Sequence, residues 1–210
     1  MTSTPFDAGT EFDRQIAVLR DRDYPEPPAD LAASLRRAAV AHAGAMAAPA
    51  EGRAPFTLVV TRELVPIEEM VPRLRLANGR KAGVIDRHYK AGELVDFVPA
   101  KGVELPDARA YLLLDADRGE EFCGAIPNEA MAVLAERGRT LLTIEEGIAL
   151  VTQHPELLAK NKCFSLGGSR CGDRRVPALW ISERAPKLGW CWEGNPHTWL
   201  GMAHAAARIA

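Results

Sequence analysis

The sequence predicts an α+β protein with a mixed or antiparallel sheet and helices on one face. Continuous β-branched and apolar runs at residues 56–61 (FTLVVT) and 110–115 (AYLLLD) indicate buried strands. Helix-period patterns lie before, between and after these strands. The last third of the chain changes to short strands joined by turns, which predicts an antiparallel C-terminal meander.

The first part of the chain predicts a helical arm. Apolar residues recur at helical spacing over residues 10–22, and the prolines of residues 24–28 (YPEPP) end that helix. An alanine-rich helix follows over residues 30–46. We therefore expect a helical arm at residues 1–55 and an α+β domain at residues 56–210. The arm is either partly detached or packed on the domain, and one integrated domain is favoured.

Shorter elements occupy the middle of the chain. Proline at the first helical position favours a short helix over residues 66–70. Asn78-Gly79 is a dipeptide typical of a tight hairpin, here flanked by short apolar runs. A helix is predicted from Pro127 to about Arg137. Thr143 and Glu146 form a capping box, which predicts a helix through Gln153.

Three strands are predicted in the last third, at residues 163–166, 176–182 and 188–192. Pro186-Lys187 is the predicted connection between the second and the third. A short helix is expected from about Trp199 onward.

The composition excludes several classes of protein. A chain of 210 residues suits one domain, and its net charge of −2 does not predict nucleic-acid binding. No apolar run reaches the roughly 18 residues that a membrane span needs. The opening residues lack the basic start and apolar segment of a signal peptide. Four unevenly spaced cysteines are typical of reduced thiols. We expect a cytoplasmic protein that binds neither nucleic acid nor membrane.

Several segments of the chain are similar to an uncharacterised family of hypothetical proteins from high-GC bacteria. The most specific is residues 186–201 (PKLGWCWEGNPHTWLG). The others are residues 12–15 (FDRQ), 59–66 (VVTRELVP), 111–115 (YLLLD) and 143–147 (TIEEG). The resemblance covers about residues 11–202. It implies a single soluble bacterial domain, and it transfers no activity and no catalytic residue.

The densest group of reactive side chains lies near the C-terminus. All four tryptophans fall between Trp180 and Trp199. Cys191 and His197 would form a nucleophile–base pair with Asn195 orienting the imidazole, or His197 and Glu193 would act without covalent catalysis. The alternative is that the tryptophans build core and Cys191 is a small buried apolar residue. Ligand contacts in this segment would come from Trp190, Trp192, Asn195 and Trp199.

Residues 166–175 (LGGSRCGDRR) form a glycine- and arginine-rich turn. Glycines let backbone amides turn toward an anion, and arginines can clamp phosphate, sulfate or carboxylate. The segment lacks the Lys-Ser/Thr ending of a P-loop. The alternative is a solvated hairpin turn. The candidate ligand-binding residues are Ser169, Arg170, Arg174 and Arg175.

Two further sets of residues were considered for metal binding or acid–base chemistry. The first set comprises Cys163, Cys171, Cys191 and His197. Its irregular spacing matches no ordinary zinc site, so no metal is predicted. The second set comprises Asp115, Asp117, Glu120 and Glu121, at the end of a predicted strand. These carboxylates could bind a divalent cation, act as acid and base, or form a plain exposed turn.

These observations favour a small-molecule-binding protein for an anionic ligand, with its site between the arginine turn and the tryptophan segment. As an enzyme of bacterial specialised metabolism it would catalyse substitution, elimination or hydrolysis at a phosphate, sulfate or carboxylate group. No cofactor is expected, because no dinucleotide, haem or flavin motif is present. The competing interpretation is a non-catalytic interaction protein or accessory subunit, in a homo- or hetero-oligomer, that uses the Trp/Arg-rich surface. The sequence does not decide whether catalysis takes place.

Overall fold

The computed structural model describes residues 6–210. The start of the predicted arm, which includes the opening residues that lack signal-peptide features, lies outside the described residues. The helices are α1 (Ala8–Asp21), α2 (Ala29–Ala43), α3 (Ile67–Met70), α4 (Pro127–Glu136) and α5 (Ile144–Gln153). The strands are β1 (Arg53–Val60), β2 (Val84–Ile85), β3 (Val98–Pro99), β4 (Ala110–Asp117), β5 (Thr140–Leu141), β6 (Cys163–Ser165), β7 (Ser169–Arg170), β8 (Arg175–Ser182), β9 (Ala185–Trp192), β10 (Leu200–Met202), β11 (His204–Ala205) and β12 (Ala207–Ile209). The predicted α+β fold, with its helical N-terminal region and C-terminal strand meander, is confirmed.

The first sheet is built on β1 and β4, the two strands that the apolar runs predict. They pair antiparallel, with Phe56 opposite Leu114. The strand order is β1-β4-β11-β5, and β12 also pairs with β4. Helices α1, α2 and α5 contact β1, and α2 also contacts β4. Because these helices cover the sheet, both strands have continuous runs of apolar residues and do not alternate between apolar and polar residues.

The N-terminal helices share the core of this sheet. Phe12 on α1 and Leu35 on α2 are buried in the same apolar cluster as Phe56 and Leu112. Gln15 of α1 is also fully buried, and its side chain bonds to β1: Oε1 accepts from Leu58 N at 2.6 Å, and Nε2 donates to the Phe56 carbonyl at 3.1 Å. The helical region is therefore packed on the sheet. No helix of residues 6–210 has the length and apolarity to cross a membrane.

The second sheet contains the C-terminal meander and has the order β10-β6-β8-β9-β2. Its central hairpin, β8 with β9, turns at Glu183 and Arg184, whose φ values are 51° and 63°. The predicted turn at Pro186-Lys187 is wrong, because both residues lie inside β9. Pro186 is the second residue of β9 and lies close to the strand start, where proline is usually tolerated.

Two other local predictions are wrong. The segment after Trp199 forms β10, β11 and β12 instead of a helix, because pairing with β6 and β4 overrides the helical preference of its alanines. Asn78-Gly79 lies in a turn, but no hairpin flanks it. Val84 and Ile85 pair in parallel with Lys187 and Leu188 on β9.

Helices α4 and α5 begin where the sequence predicts. In α5 the Thr143 side chain accepts from the Glu146 amide, and the Glu146 carboxylate accepts from the Thr143 amide at 2.8 Å. Both halves of the predicted capping box are therefore present. This helix is buried along its whole length, so its first turn lies inside the protein.

Candidate functional site

The structure brings the arginine turn and the tryptophan segment together. Arg170 Nη2 lies 2.5 Å from Glu193 Oε2, and Arg174 Nε lies 3.4 Å from Glu193 Oε1. The Glu193 amide also donates to the Arg174 carbonyl at 2.9 Å. Arg170 holds the pKa of the Glu193 carboxyl below its ordinary value. Glu193 is thus paired with two of the arginines that the sequence predicts to hold a ligand.

The third arginine of the turn, Arg175, is also paired. Its Nη2 lies 2.9 Å from Glu93 Oε1, and its Nε lies 2.7 Å from Asp173 Oδ2. The guanidinium carbon stands 5.3 Å from the ring centre of Phe97 and 5.5 Å from that of Trp190. These contacts cover most of its donors, so Arg175 joins the turn to the segment around Glu93.

Ser169 belongs to the local packing of α5. Its side chain is buried, and its Oγ accepts a 3.0 Å hydrogen bond from the Ile144 amide, the first of that helix. An N-terminal amide of a buried helix needs such an acceptor. The hydroxyl is therefore already engaged.

Cys191 and His197 do not form a hydrogen bond in the part of the chain that the structure describes. Burial raises the pKa of the Cys191 thiol to about 11, which favours the neutral thiol over the nucleophilic thiolate. The His197 ring packs on Trp199, with ring centres 5.3 Å apart. Asn195 donates its backbone amide to the Trp192 carbonyl, which closes the loop. The geometry does not supply an activated thiol.

The four tryptophans form two pairs. Trp190 and Trp192 lie on one face of β9, with ring centres 4.9 Å apart, and Trp180 lies 6.1 Å from Trp199. The Trp180 ring covers the backbone of Gly189 on the opposite face of β9. Trp192 remains 45% exposed. The cavity beside Asn195 and His197 has a volume of only about 10 Å³, which is about the room that one water needs.

The acidic residues in the last part of β4 and just after it are held by ion pairs and hydrogen bonds. Asp115 contacts Arg53 at 2.7 Å and Arg139 at 2.6 Å, and Glu121 contacts Arg137 at 2.8 Å. Asp117 Oδ1 accepts from the Gly119 amide. Across residues 6–210, no group of three or more His, Cys, Asp or Glu side chains is placed to hold a metal ion.

A larger site, which the sequence analysis did not single out, surrounds Arg118. This arginine follows β4 directly and is 2% exposed. It lies beside a cleft of about 610 Å³ between residues 49–52 and residues 156–162. Its Nη2 contacts Glu120 and lies 3.4 Å from Glu51 Oε1, while its Nε has no hydrogen-bond partner among the described residues. We call this site the Arg118 cleft.

Lys162 provides the second cation of the Arg118 cleft. Its Nζ contacts the Glu51 carboxylate and lies 3.2 Å from Glu120 Oε1. Lys162 is half-buried, whereas the Glu51 side chain is 74% exposed. The Lys162 ammonium lowers the pKa of the Glu51 carboxyl, and the two carboxylates raise the pKa of Lys162. Two cations therefore share two exposed carboxylates at the rim of the cleft.

Gly52 allows the loop to pass directly over Arg118. Its φ is +81°, a backbone region that favours glycine, and a β-carbon there would lie 3.2 Å from Arg118 Nε. The Gly52 carbonyl accepts from the Arg118 amide at 2.9 Å. The guanidinium is thus fixed by its own backbone and by the loop that covers it.

The fold and this site define an α+β protein with a five-stranded antiparallel sheet, a five-stranded mixed sheet and a two-stranded pair of β3 with β7. The arginine–lysine cleft lies beside the first of these sheets. The chain belongs to the family of unknown function DUF5701, whose family model matches residues 19–210. The expected membership in an uncharacterised family is thereby confirmed. No curated protein and no solved structure matches the chain.

Proposed function

We propose that this protein binds an anionic small molecule in the Arg118 cleft. The observation that supports the proposal is a nearly buried guanidinium, lining a cleft of about 610 Å³, with an Nε that lacks a partner among residues 6–210. A buried charge is costly unless it is paired and hydrogen-bonded. Here its carboxylate partners come from exposed side chains, which a ligand can replace.

The arginine turn supports this function less well. Its arginines contact Glu193 and Glu93, whose side chains are largely buried, and the nearby cavity at His197 is too small for a ligand. His197 and Glu193 do not line the Arg118 cleft. A catalytic role for His197, Glu193 or Cys191 remains a sequence-based prediction. Ligand binding by the arginine turn also remains one.

Calorimetric titration of the full chain with inorganic phosphate and with acetate tests this proposal. Lys162→Met removes one cation of the cleft without touching the core. We expect at least about tenfold weaker binding, because a hydrogen bond to a charged group contributes about 1.5–3 kcal/mol.

Lys81→Met is the matched control, since exposed Lys81 contacts only the Glu183 carbonyl among the described residues and lies outside the cleft. It should bind like the wild type. Equal weakening by both variants would show that only the net charge matters. If neither phosphate nor any carboxylate bound, the proposal would be refuted.

A second candidate function is association through the tryptophan surface, supported by the exposure of Trp192 beside Trp190. Exposed tryptophans are frequent anchors of protein interfaces. Sedimentation over a range of protein concentrations should show self-association in the wild type that Trp192→Ser reduces. A monomer at every concentration would remove self-association as an explanation.

A further inference from the structure

We infer that the ligand of the Arg118 cleft is a carboxylate with an apolar body, and that it binds by taking the place of the Glu51 carboxylate. This inference rests on the proposed function. It specifies the chemical class of the ligand and the displacement of Glu51 that lets the ligand bind.

Glu51 is placed as an internal substitute for such a ligand. It lies in a tight turn between Ala50 and Arg53, which exchange backbone hydrogen bonds of 3.0 and 3.1 Å. From this turn its carboxylate reaches Lys162 and Arg118 together. Because the Glu51 side chain is exposed and water can solvate its carboxylate after release, displacing it costs little. The backbone of the turn need not move.

The charges that remain in the cleft after Glu51 is displaced favour a ligand with a single negative charge. When Glu51 leaves, Arg118 and Lys162 are still accompanied by Glu120, which contacts both. Lys160 and Glu156 also line the cleft and add one charge of each sign, so the cleft keeps one net positive charge when Glu51 is displaced. A carboxylate monoanion balances this charge, whereas a phosphate dianion would exceed it. The same two cations already bind a carboxylate in the structure, so their spacing suits that group.

The body of the ligand would lie against apolar lining. Part of the cleft wall is apolar and is formed by Pro49, Ala50, Leu157 and Ala159. The volume of about 610 Å³ exceeds what a bare carboxylate fills. Ligand sites generally combine such apolar walls with a few polar groups that fix orientation.

The test is calorimetric titration of the full chain, at constant ionic strength, with acetate, butyrate, hexanoate and inorganic phosphate. We expect affinity to rise by about fourfold for each methylene that is buried in the cleft, and hexanoate to bind more tightly than phosphate. A flat series, or tighter binding of phosphate, would overturn the inference.

Two variants test the role of Glu51. Glu51→Ala removes the competing carboxylate and should raise the affinity for butyrate about fivefold or more, with Glu51→Gln showing the same direction. Glu26→Ala removes the same charge from an exposed residue that pairs with Arg20, and it should leave the affinity unchanged. An effect of Glu51→Ala no larger than that of the control would overturn displacement.

The two proposals fail in different ways. If phosphate binds with dependence on Lys162 while no carboxylate binds, the proposed function stands and this inference is wrong. If neither phosphate nor any carboxylate binds to the wild-type protein, both are wrong.

Discussion

The guanidinium of Arg208 forms a two-point ion pair with the carboxylate of Glu146. Nε lies 2.5 Å from Oε1, and Nη2 lies 2.8 Å from Oε2. The Tyr111 hydroxyl donates a third hydrogen bond to Oε1 at 2.8 Å. Glu146 is fully buried and also caps α5. One carboxylate therefore connects β12, β4 and the start of a central helix.

Replacing Arg208 with methionine should strongly destabilise the protein. The change leaves the buried Glu146 carboxylate without its cation, and breaking a buried pair in this way costs about 3–5 kcal/mol. Urea denaturation followed by circular dichroism measures the free energy of unfolding. Arg137→Met breaks the exposed pair with Glu121 and should cost no more than about 1 kcal/mol. Equal losses would show that Arg208 has no special role.

Gly189→Ala should destabilise the β8–β9 hairpin. A β-carbon at Gly189 would lie 1.9 Å from Cη2 of Trp180, so the indole must leave its place. Overpacking of this kind costs about 1–3 kcal/mol. The midpoint of urea denaturation should fall, and adding Trp180→Leu should recover part of the loss. If the losses of stability from the two substitutions were strictly additive, the contact between residue 189 and the Trp180 ring would be contradicted.

His204 should make the protein less stable as the pH falls. Burial lowers the pKa of His204 below its ordinary value of 6.5, and Arg139, whose Nε donates to His204 Nδ1 at 3.0 Å, lowers it further. Below pH 6.5 the unfolded chain binds a proton that the folded chain does not. The free energy of unfolding therefore decreases as the pH falls through 6.5, until the lowered folded pKa is reached.

Urea denaturation at several pH values between 7.5 and 5.5 measures this dependence. His204→Asn should flatten it, whereas His42→Asn, at an exposed position, should keep the wild-type slope. An unchanged slope in His204→Asn would assign the effect to other groups.

Cys191 should resist alkylation in the folded protein. A thiol with a pKa of about 11 holds roughly a hundredfold less thiolate at neutral pH than one at the ordinary value of 9.0. Iodoacetamide labelling at pH 7.5, located by mass spectrometry, should modify Cys191 only after unfolding, and His197→Ala should change nothing. Rapid native labelling that depends on His197 would instead support the nucleophile–base pair.

The fold class and most long elements could be predicted because their signals are local. The apolar runs of β1 and β4 and the capping box at Thr143 fix those elements from a few neighbouring residues. The turn at Glu183-Arg184 could not be predicted, since two residues other than glycine adopt positive φ there. The strands after Trp199 depend on distant partners, and no local pattern encodes them.

The candidate site was harder to predict, because its residues come together from distant parts of the chain. The tryptophan segment draws attention by composition, and the structure does place it against the arginine turn. The sequence cannot show that Glu193 neutralises Arg170. Arg118 carries no local signal apart from its position at the end of a strand, and Glu51 and Lys162 reach it from far away in the chain. Its importance comes from burial, which is a property of the folded protein.

The pairing of β12 with β4 has a consequence for folding during synthesis. Residues 207–209 pair with the middle of β4, and Arg208 neutralises the buried Glu146 carboxylate of α5. A ribosome makes β1, β4, β5 and α5 well before these residues emerge from its exit tunnel. Until then the Glu146 carboxylate has no cation and one edge of β4 is open. The protein therefore completes its core only after translation of this segment, and nascent chains stalled before it should stay sensitive to protease.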